Sequence, residues 1–309
     1  MKNIKFFYIL FFLFLIITPP FLLSRDVEFP LIQSFSYFPF SDDIILEKNQ
    51  FSLSLKIHYS NIFMFDYEKT SINDMELVAG TIGFRYGLRN SITLELYLRL
   101  SYAYGGIMDN FIEKFHNFFG LYKGGREEYE KNKVHYYLKD CFLYSNRSAN
   151  FLPLIIGIEG KIFENKNFSF KERIALGIPF LSKPGFSNNS PFLISGLIVE
   201  YKNRNLLINL FEYISFFQKP EWLKNWDIRN FIFLSEIKLH YKRMYLGCIL
   251  KTSPFKYGDI SNRALQLYFG YRLSEKIEFS IAEEIPPSDT VPDMSFNIRI
   301  NLFERKKRK

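Results

Sequence analysis

Cysteine and tryptophan each occur only twice in 309 residues. The two thiols, Cys141 and Cys248, fit no metal-ligand spacing, so a zinc module is excluded and they read as two independent thiols. Beyond residue 25 no apolar run approaches eighteen residues, so no helix is expected to cross a bilayer. No segment repeats with a period of 20–50 residues, which excludes a solenoid. No stretch rich in Gly, Ser or Pro divides the chain, so it reads as one domain. There is no HExxH pattern and no serine in a nucleophile-elbow context, so no catalytic set is legible. Charged residues make up only 23%, which excludes a disordered polyelectrolyte.

Aromatic residues, by contrast, are abundant. They form 19% of the chain, with 36 Phe and 20 Tyr, yet the mean hydropathy is −0.07. Strands with one apolar and one polar face produce that combination, and the chain shows the corresponding period of two. From Phe51 to Tyr59 the odd positions are Phe51, Leu53, Leu55, Ile57 and Tyr59, and the even ones are Ser52, Ser54, Lys56 and His58. From Ile92 to Tyr102 one face is Ile92, Leu94, Leu96, Leu98, Leu100 and Tyr102. The other carries Thr93, Glu95, Tyr97, Arg99 and Ser101. These segments run about twelve residues, whereas ordinary strands are nearer five or six. A tilted strand crossing a bilayer needs about nine to eleven.

Further strands are expected near 75–88, 152–163, 168–179, 191–202, 205–217, 230–242, 243–252, 263–273, 276–284 and 294–303. The segments 205–217 and 243–252 are apolar on both faces, which leaves their register open. Short turns and longer breaks alternate along the chain if 105–151 is one external excursion, as in outer-membrane barrels. The Tyr136–Tyr144 stretch is then not a spanning strand. The expected fold is all-β, a transmembrane antiparallel up-and-down β-barrel of about twelve strands, with a short helix in a long external loop. Both termini then lie in the periplasm.

The first 24 residues have the build of a signal peptide: Lys2 and Lys5, the apolar run Phe6–Ile17, then Pro19-Pro20. An uncleaved anchor is the alternative. Residues 25–48 read as a periplasmic segment, 49–303 as the barrel and 304–309 as a basic tail. Of the net +8, two charges sit in the first 24 residues and four in the last six, leaving +2 between. The basicity therefore points to no acidic partner, and nucleic acid is not expected.

Within the excursion, Asn110 and Glu113 form a capping-box-like pair, and Ile112, Phe115 and Phe119 share a helical face. The helix could plug the lumen, cover its mouth or lie on the membrane. Asp109, Glu113 and His116 are the compact acid/His group of the chain, read chiefly as a cap and packing network, with a general-base or metal role as the alternative. Arg126, after Gly124-Gly125, could meet a phosphate or carboxylate, or lie solvated in a turn. No cofactor and no metal is expected.

The segment GGIMDNFIEKFHNFFGLYKGGREEY, together with RYGL at Arg85–Leu88, IALGIP ending at Pro179 and AEEIPPSDTVPDMSFNIRI, resembles a family of Gram-negative outer-membrane proteins known as domain of unknown function 3187. The resemblance implies a β-barrel and carries no substrate or activity with it.

Alternation assigns Arg85, Glu95, Arg99, Glu159, Lys161, Lys171, Arg173 and Arg299 to the lumen. Lys56, Lys238, Arg272, Glu236, Glu278 and Glu284 complete the charged inward set. Basic residues outnumber acidic ones there, so a water-filled lumen would favour anions. A packed lumen would instead pair the charges across strands. The expected role is passage or binding of a small solute by a barrel embedded in outer-membrane lipid. The alternatives are a structural or adhesive barrel, or a membrane-embedded enzyme acting on lipid.

Overall fold

The computed structural model describes residues 45–65, 71–119, 130–180, 183, 184, 186, 190–203, 206–252, 263–274, 276–285 and 294–304. The signal-like segment, Arg126 and the basic tail beyond Glu304 lie outside the described residues. Of the segment 25–48, residues 45–48 are described.

The elements in chain order are β1 (Phe51–Phe65), β2 (Ser71–Arg89), β3 (Ile92–Tyr104), α1 (Asp109–Phe119), β4 (His135–Leu138), β5 (Phe142–Tyr144) and β6 (Ser148–Phe151). There follow β7 (Leu154–Glu164), β8 (Phe168–Ile178), β9 (Phe192–Asn203), β10 (Leu206–Phe217), β11 (Phe231–Tyr241), β12 (Met244–Thr252), β13 (Arg263–Arg272), β14 (Ile277–Ile285) and β15 (Met294–Glu304). Twelve of them, β1–β3 and β7–β15, pair antiparallel with their neighbours around a ring. The ring closes where β1 meets β15, with Ile57 opposite Ile298 and Tyr59 opposite Phe296. The fold is thus the closed twelve-strand antiparallel barrel the periodicity implies.

The three shorter strands fill in the end that carries the long loops. β4 and β5 form a small hairpin. β4 takes over pairing with Ser71–Asp74 of β2 once β3 has left the sheet, so Tyr136–Tyr144 does not span. β6 continues the line of β7 along β3, past an interruption at Leu152-Pro153. Two expectations are corrected here. The gap between the first strand and the one expected near 75–88 is narrower than the periodicity implies, because β1 continues to Phe65 and β2 begins at Ser71. The excursion 105–151 is not all loop, since its last four residues belong to the wall. Both differences come from strands that project past the barrel proper, where alternation weakens.

Burial runs opposite to that of a water-soluble sandwich. On β3, Thr93, Glu95, Tyr97, Arg99, Ser101 and Ala103 are buried, while Leu96, Leu100 and Tyr102 are exposed. The same inversion recurs around the ring: Ile82 and Phe84 on β2, Ile156 and Ile158 on β7, Ile174 and Leu176 on β8, and Leu267 and Phe269 on β13 are all exposed. Stable folds in water hide such side chains. The belt they form suits hydrocarbon, and a closed ring leaves no backbone edge unpaired within it.

Candidate functional site: the barrel lumen

The inward residues form three tiers. The middle tier is ionic and spans β2, β3, β7 and β8. Arg85 Nε donates to Glu95 Oε1 at 2.9 Å, and Arg85 Nη2 to Glu159 Oε2 at 3.3 Å. Arg173 Nη2 donates to Glu95 Oε1 at 3.0 Å and also to Glu159. Arg173 Nε lies 3.0 Å from Glu95 Oε2, and Nη1 donates to Tyr213 Oη at 2.9 Å. The side chains of Arg173, Glu95 and Glu159 are fully buried. Two guanidinium groups and two carboxylates cancel, so this desolvated cluster has no net charge to attract an ion.

Other inward charges also find partners. Lys171 Nζ lies 2.8 Å from Glu200, and Glu278 is approached by Lys238 at 3.8 Å and Arg272 at 3.6 Å. Tyr268 donates to Glu236, and Lys238 lies 4.0 Å over the Tyr245 ring. Lys161 pairs with Glu164 at 2.6 Å beside the β7–β8 turn. Arg99 is buried on β3, and Arg299 sits on β15 opposite Lys56 and Glu278. The side chain of Glu284 lies outside the described residues.

Around the ring, glycine is repeatedly paired with an aromatic ring directly across two strands. Gly83 faces Tyr97, Gly177 faces Phe192, Gly196 faces Tyr213, and Gly247 and Gly270 face Tyr268 and Tyr245. A Cβ on Gly196 would come within 2.1 Å of the Tyr213 ring. The missing side chain lets the ring lie flat against the wall, a known device in β-structure.

The tier at the long-loop end is apolar. Phe192, Ile194, Phe211, Phe217, Ile232 and Leu234 line the wall. Chain from outside the ring packs onto them: Tyr136 and Leu138 of β4, Phe186 from the β8–β9 loop, and Leu223 and Ile228 from the β10–β11 loop. Phe186 meets Tyr136 edge-on at 5.1 Å. Trp226 Nε1 donates to the Lys139 carbonyl at 3.1 Å, and Cys141 Sγ to the Trp222 carbonyl at 3.1 Å. Burial pushes the Cys141 thiol up, and it draws the Lys183 ammonium down where that group sits 5.1 Å from the Tyr144 and Phe186 rings. Cys141 and Cys248 are both free thiols.

At the short-turn end the segment 45–50 runs along the inner wall. Leu46 N donates to Thr93 Oγ1 at 3.0 Å, Asn49 N to the Gly87 carbonyl at 2.8 Å, and Gly87 N to the Gln50 carbonyl at 2.9 Å. A Cβ on Gly87 would strike the Glu47 carbonyl at 2.0 Å, so glycine is required for this approach. Ile45 and Leu46 are buried there.

The loop-helix candidates sit elsewhere. α1 begins at Asp109, one residue before the cap expected at Asn110. Asp109 accepts from Asn132 N at 2.7 Å and from Asn61 at 3.4 Å, and Glu113 pairs with Lys131 at 2.6 Å. Both acids are thus engaged in holding the excursion together. The side chain of His116 lies outside the described residues. Among the described residues, no group of three or more His, Cys, Asp or Glu is placed to hold a metal.

Closed ring, inverted burial and polar lumen define an outer-membrane-type β-barrel. Residues 23–151 match the family described as Protein of unknown function (DUF3187), the family the sequence resembles. Among curated proteins none matches the chain. Solved structures that it is similar to include the KdgM porin in complex with disordered oligogalacturonate, at 8% identity and a TM-score of 0.43, covering 81% of this chain and 99% of that one. Another is the toluene transporter TodX of Pseudomonas putida, at 9% identity and a TM-score of 0.37, covering 91% and 94%. A third is the translocator domain of the autotransporter NalP from Neisseria meningitidis, at 8% identity and a TM-score of 0.39, covering 84% and 89%.

Proposed function

We propose that this protein is an integral outer-membrane barrel that binds or passes a small solute, with its lumen shut at rest. The observation that carries the reading is a polar inner wall against which chain that is not part of the ring packs at both mouths. A barrel serving only as an anchor gains nothing from a polar lumen with separate closures. At one end Leu46 and Asn49 are hydrogen-bonded to the wall, and at the other Trp222 and Trp226 pack against the apolar tier and bond to the β4–β5 hairpin.

The short turns face the periplasm in this reading, with both termini on that side. An anion preference rests on the excess of basic over acidic residues along the inner wall. Glu200 weakens that excess by holding Lys171.

The test is conductance in a planar bilayer after refolding in detergent. The native protein gives rare, brief openings. The double substitution Trp222→Ala, Trp226→Ala lengthens them. A folded, heat-modifiable barrel that never conducts in either form, and retains no solute, overturns solute passage and leaves the fold intact.

A further inference from the structure

α1 carries large apolar side chains on an exposed side, which a helix packed on protein in water would hide. Its acidic residues face the protein: Asp109 is buried against Asn61 and Asn132, and Glu113 holds Lys131. Two of its aromatic residues are exposed. Phe111 is 50% exposed and Phe118 83%, with Ile107 just before the helix at 77%. Residues 107, 111, 114 and 118 recur at spacings of four, three and four, so Lys114 lies in the same stripe between the two rings. Asn110 and Asn117, also exposed, lie along the neighbouring flank.

The helix also stands on the outer side of the wall. Alternation on β2 turns Arg85, Gly83 and Thr81 inward and therefore turns Glu76 outward, as on β1 it turns Asn61 outward. Glu76 accepts from the backbone N–H groups of Ile107 and Met108, at 2.7 and 2.5 Å, and from Tyr59. The chain leaving β3 is thus pinned across the outer face. It returns over the same spot, where Gly105 lies against Asn132 so closely that a Cβ would be 1.9 Å from its carbonyl oxygen. Just below, on that same outer face, Tyr102 and Tyr104 stack at 5.7 Å, and the exposed aliphatic belt begins.

We infer that α1 lies in the outer-leaflet interface of the surrounding membrane, its Phe111–Lys114–Phe118 stripe contacting lipid. The stripe continues a surface that already faces hydrocarbon, and an outward aromatic stripe with a lysine suits the boundary between acyl chains and anionic headgroups. The helix itself stays off the pore mouth and sets the depth of the barrel. This inference rests on the membrane placement proposed above.

The experiment compares Phe118→Trp and Leu96→Trp with the parent protein in vesicles containing lipids brominated near the headgroup or deep in the chains. Leu96 is exposed at mid-strand on the belt, so Leu96→Trp reports insertion of the barrel alone. In Phe118→Trp the added emission is blue-shifted and is lost with the shallow bromines, more so when anionic lipid is present. Glu76→Ala, which releases the pin, reduces that loss while the heat-modifiable gel shift persists. Quenching in Leu96→Trp without quenching in Phe118→Trp overturns the helix placement and spares the barrel. No quenching in either variant overturns both. A blue shift in Phe118→Trp that appears only at high protein-to-lipid ratio assigns the stripe to a second barrel and also overturns the inference.

Discussion

Replacing Arg173 by Met tests whether the middle of the lumen is a packed ionic core. The side chain is fully buried and binds Glu95, Glu159 and Tyr213. Removal leaves Arg85 as the remaining guanidinium of the cluster beside Glu95 and Glu159, so a buried cluster of net zero charge becomes net negative. Breaking a buried pair by removing one partner costs about 3–5 kcal/mol, most of it the isolation of the remaining charge. Restoring neutrality with Arg173→Met and Glu159→Leu together recovers part of that loss, with a coupling of about 1–3 kcal/mol in the double-mutant cycle. The exposed pair Lys161–Glu164 serves as the control, where Lys161→Met costs about 0–1 kcal/mol. The assay is reversible urea unfolding in detergent or lipid, followed by the gel-mobility shift of the folded barrel. A cost below about 1 kcal/mol for Arg173→Met, or additive single and double mutants, refutes the packed ionic core and favours a hydrated pore.

Three further outcomes follow from the same geometry. Gly196→Val forces the Tyr213 ring off the wall and away from Arg173, so it destabilises the barrel as strongly as a core overpacking, about 1–3 kcal/mol in the same unfolding assay. Glu212 points outward on β10, with one oxygen accepting from Ser235 at 2.8 Å and Oε2 lacking a hydrogen-bond partner among the described residues. A carboxylate in the lipid belt is costly, so Glu212→Leu stabilises the folded barrel by about 1–2 kcal/mol, read as a raised urea midpoint. The Cys141 thiol is pushed up by burial and carries little thiolate at neutral pH. Alkylation by a hydrophilic maleimide is therefore slow in the native protein and speeds up in Trp222→Ala, measured by mass shift.

Strand periodicity made the ring legible because one-sided burial imposes a two-residue period on any wall between two solvents. The alternation of short turns with longer breaks marked its two ends. The ionic tier was half legible. Arg85, Glu95, Glu159 and Arg173 lie in clean alternations, but their mutual pairing depends on stagger between strands that no local pattern encodes. Tyr213 and Glu200 were missed. Tyr213 sits in a segment apolar on both faces, where the lumen side has turned from polar to apolar. The closures were not legible, since Phe186, Trp222, Trp226 and Leu46 sit in chain without periodicity. Glycines at alternate strand positions were the one local signal of the flat-lying rings. The outward placement of α1 was likewise hidden, because it depends on Glu76, one acid among many in the strands, catching two backbone amides.

The central claim is that β1 and β15 close the ring, and a cysteine pair across that seam tests it most directly. Ser60 lies opposite Ser295, and both are buried. With Cys141 and Cys248 changed to Ser, the pair Ser60→Cys, Ser295→Cys forms an intramolecular disulfide under mild oxidation of the folded protein. Reversal by reductant and persistence of the folded gel band identify it. A folded protein in which these two thiols stay free, or link only between molecules, contradicts the closed barrel.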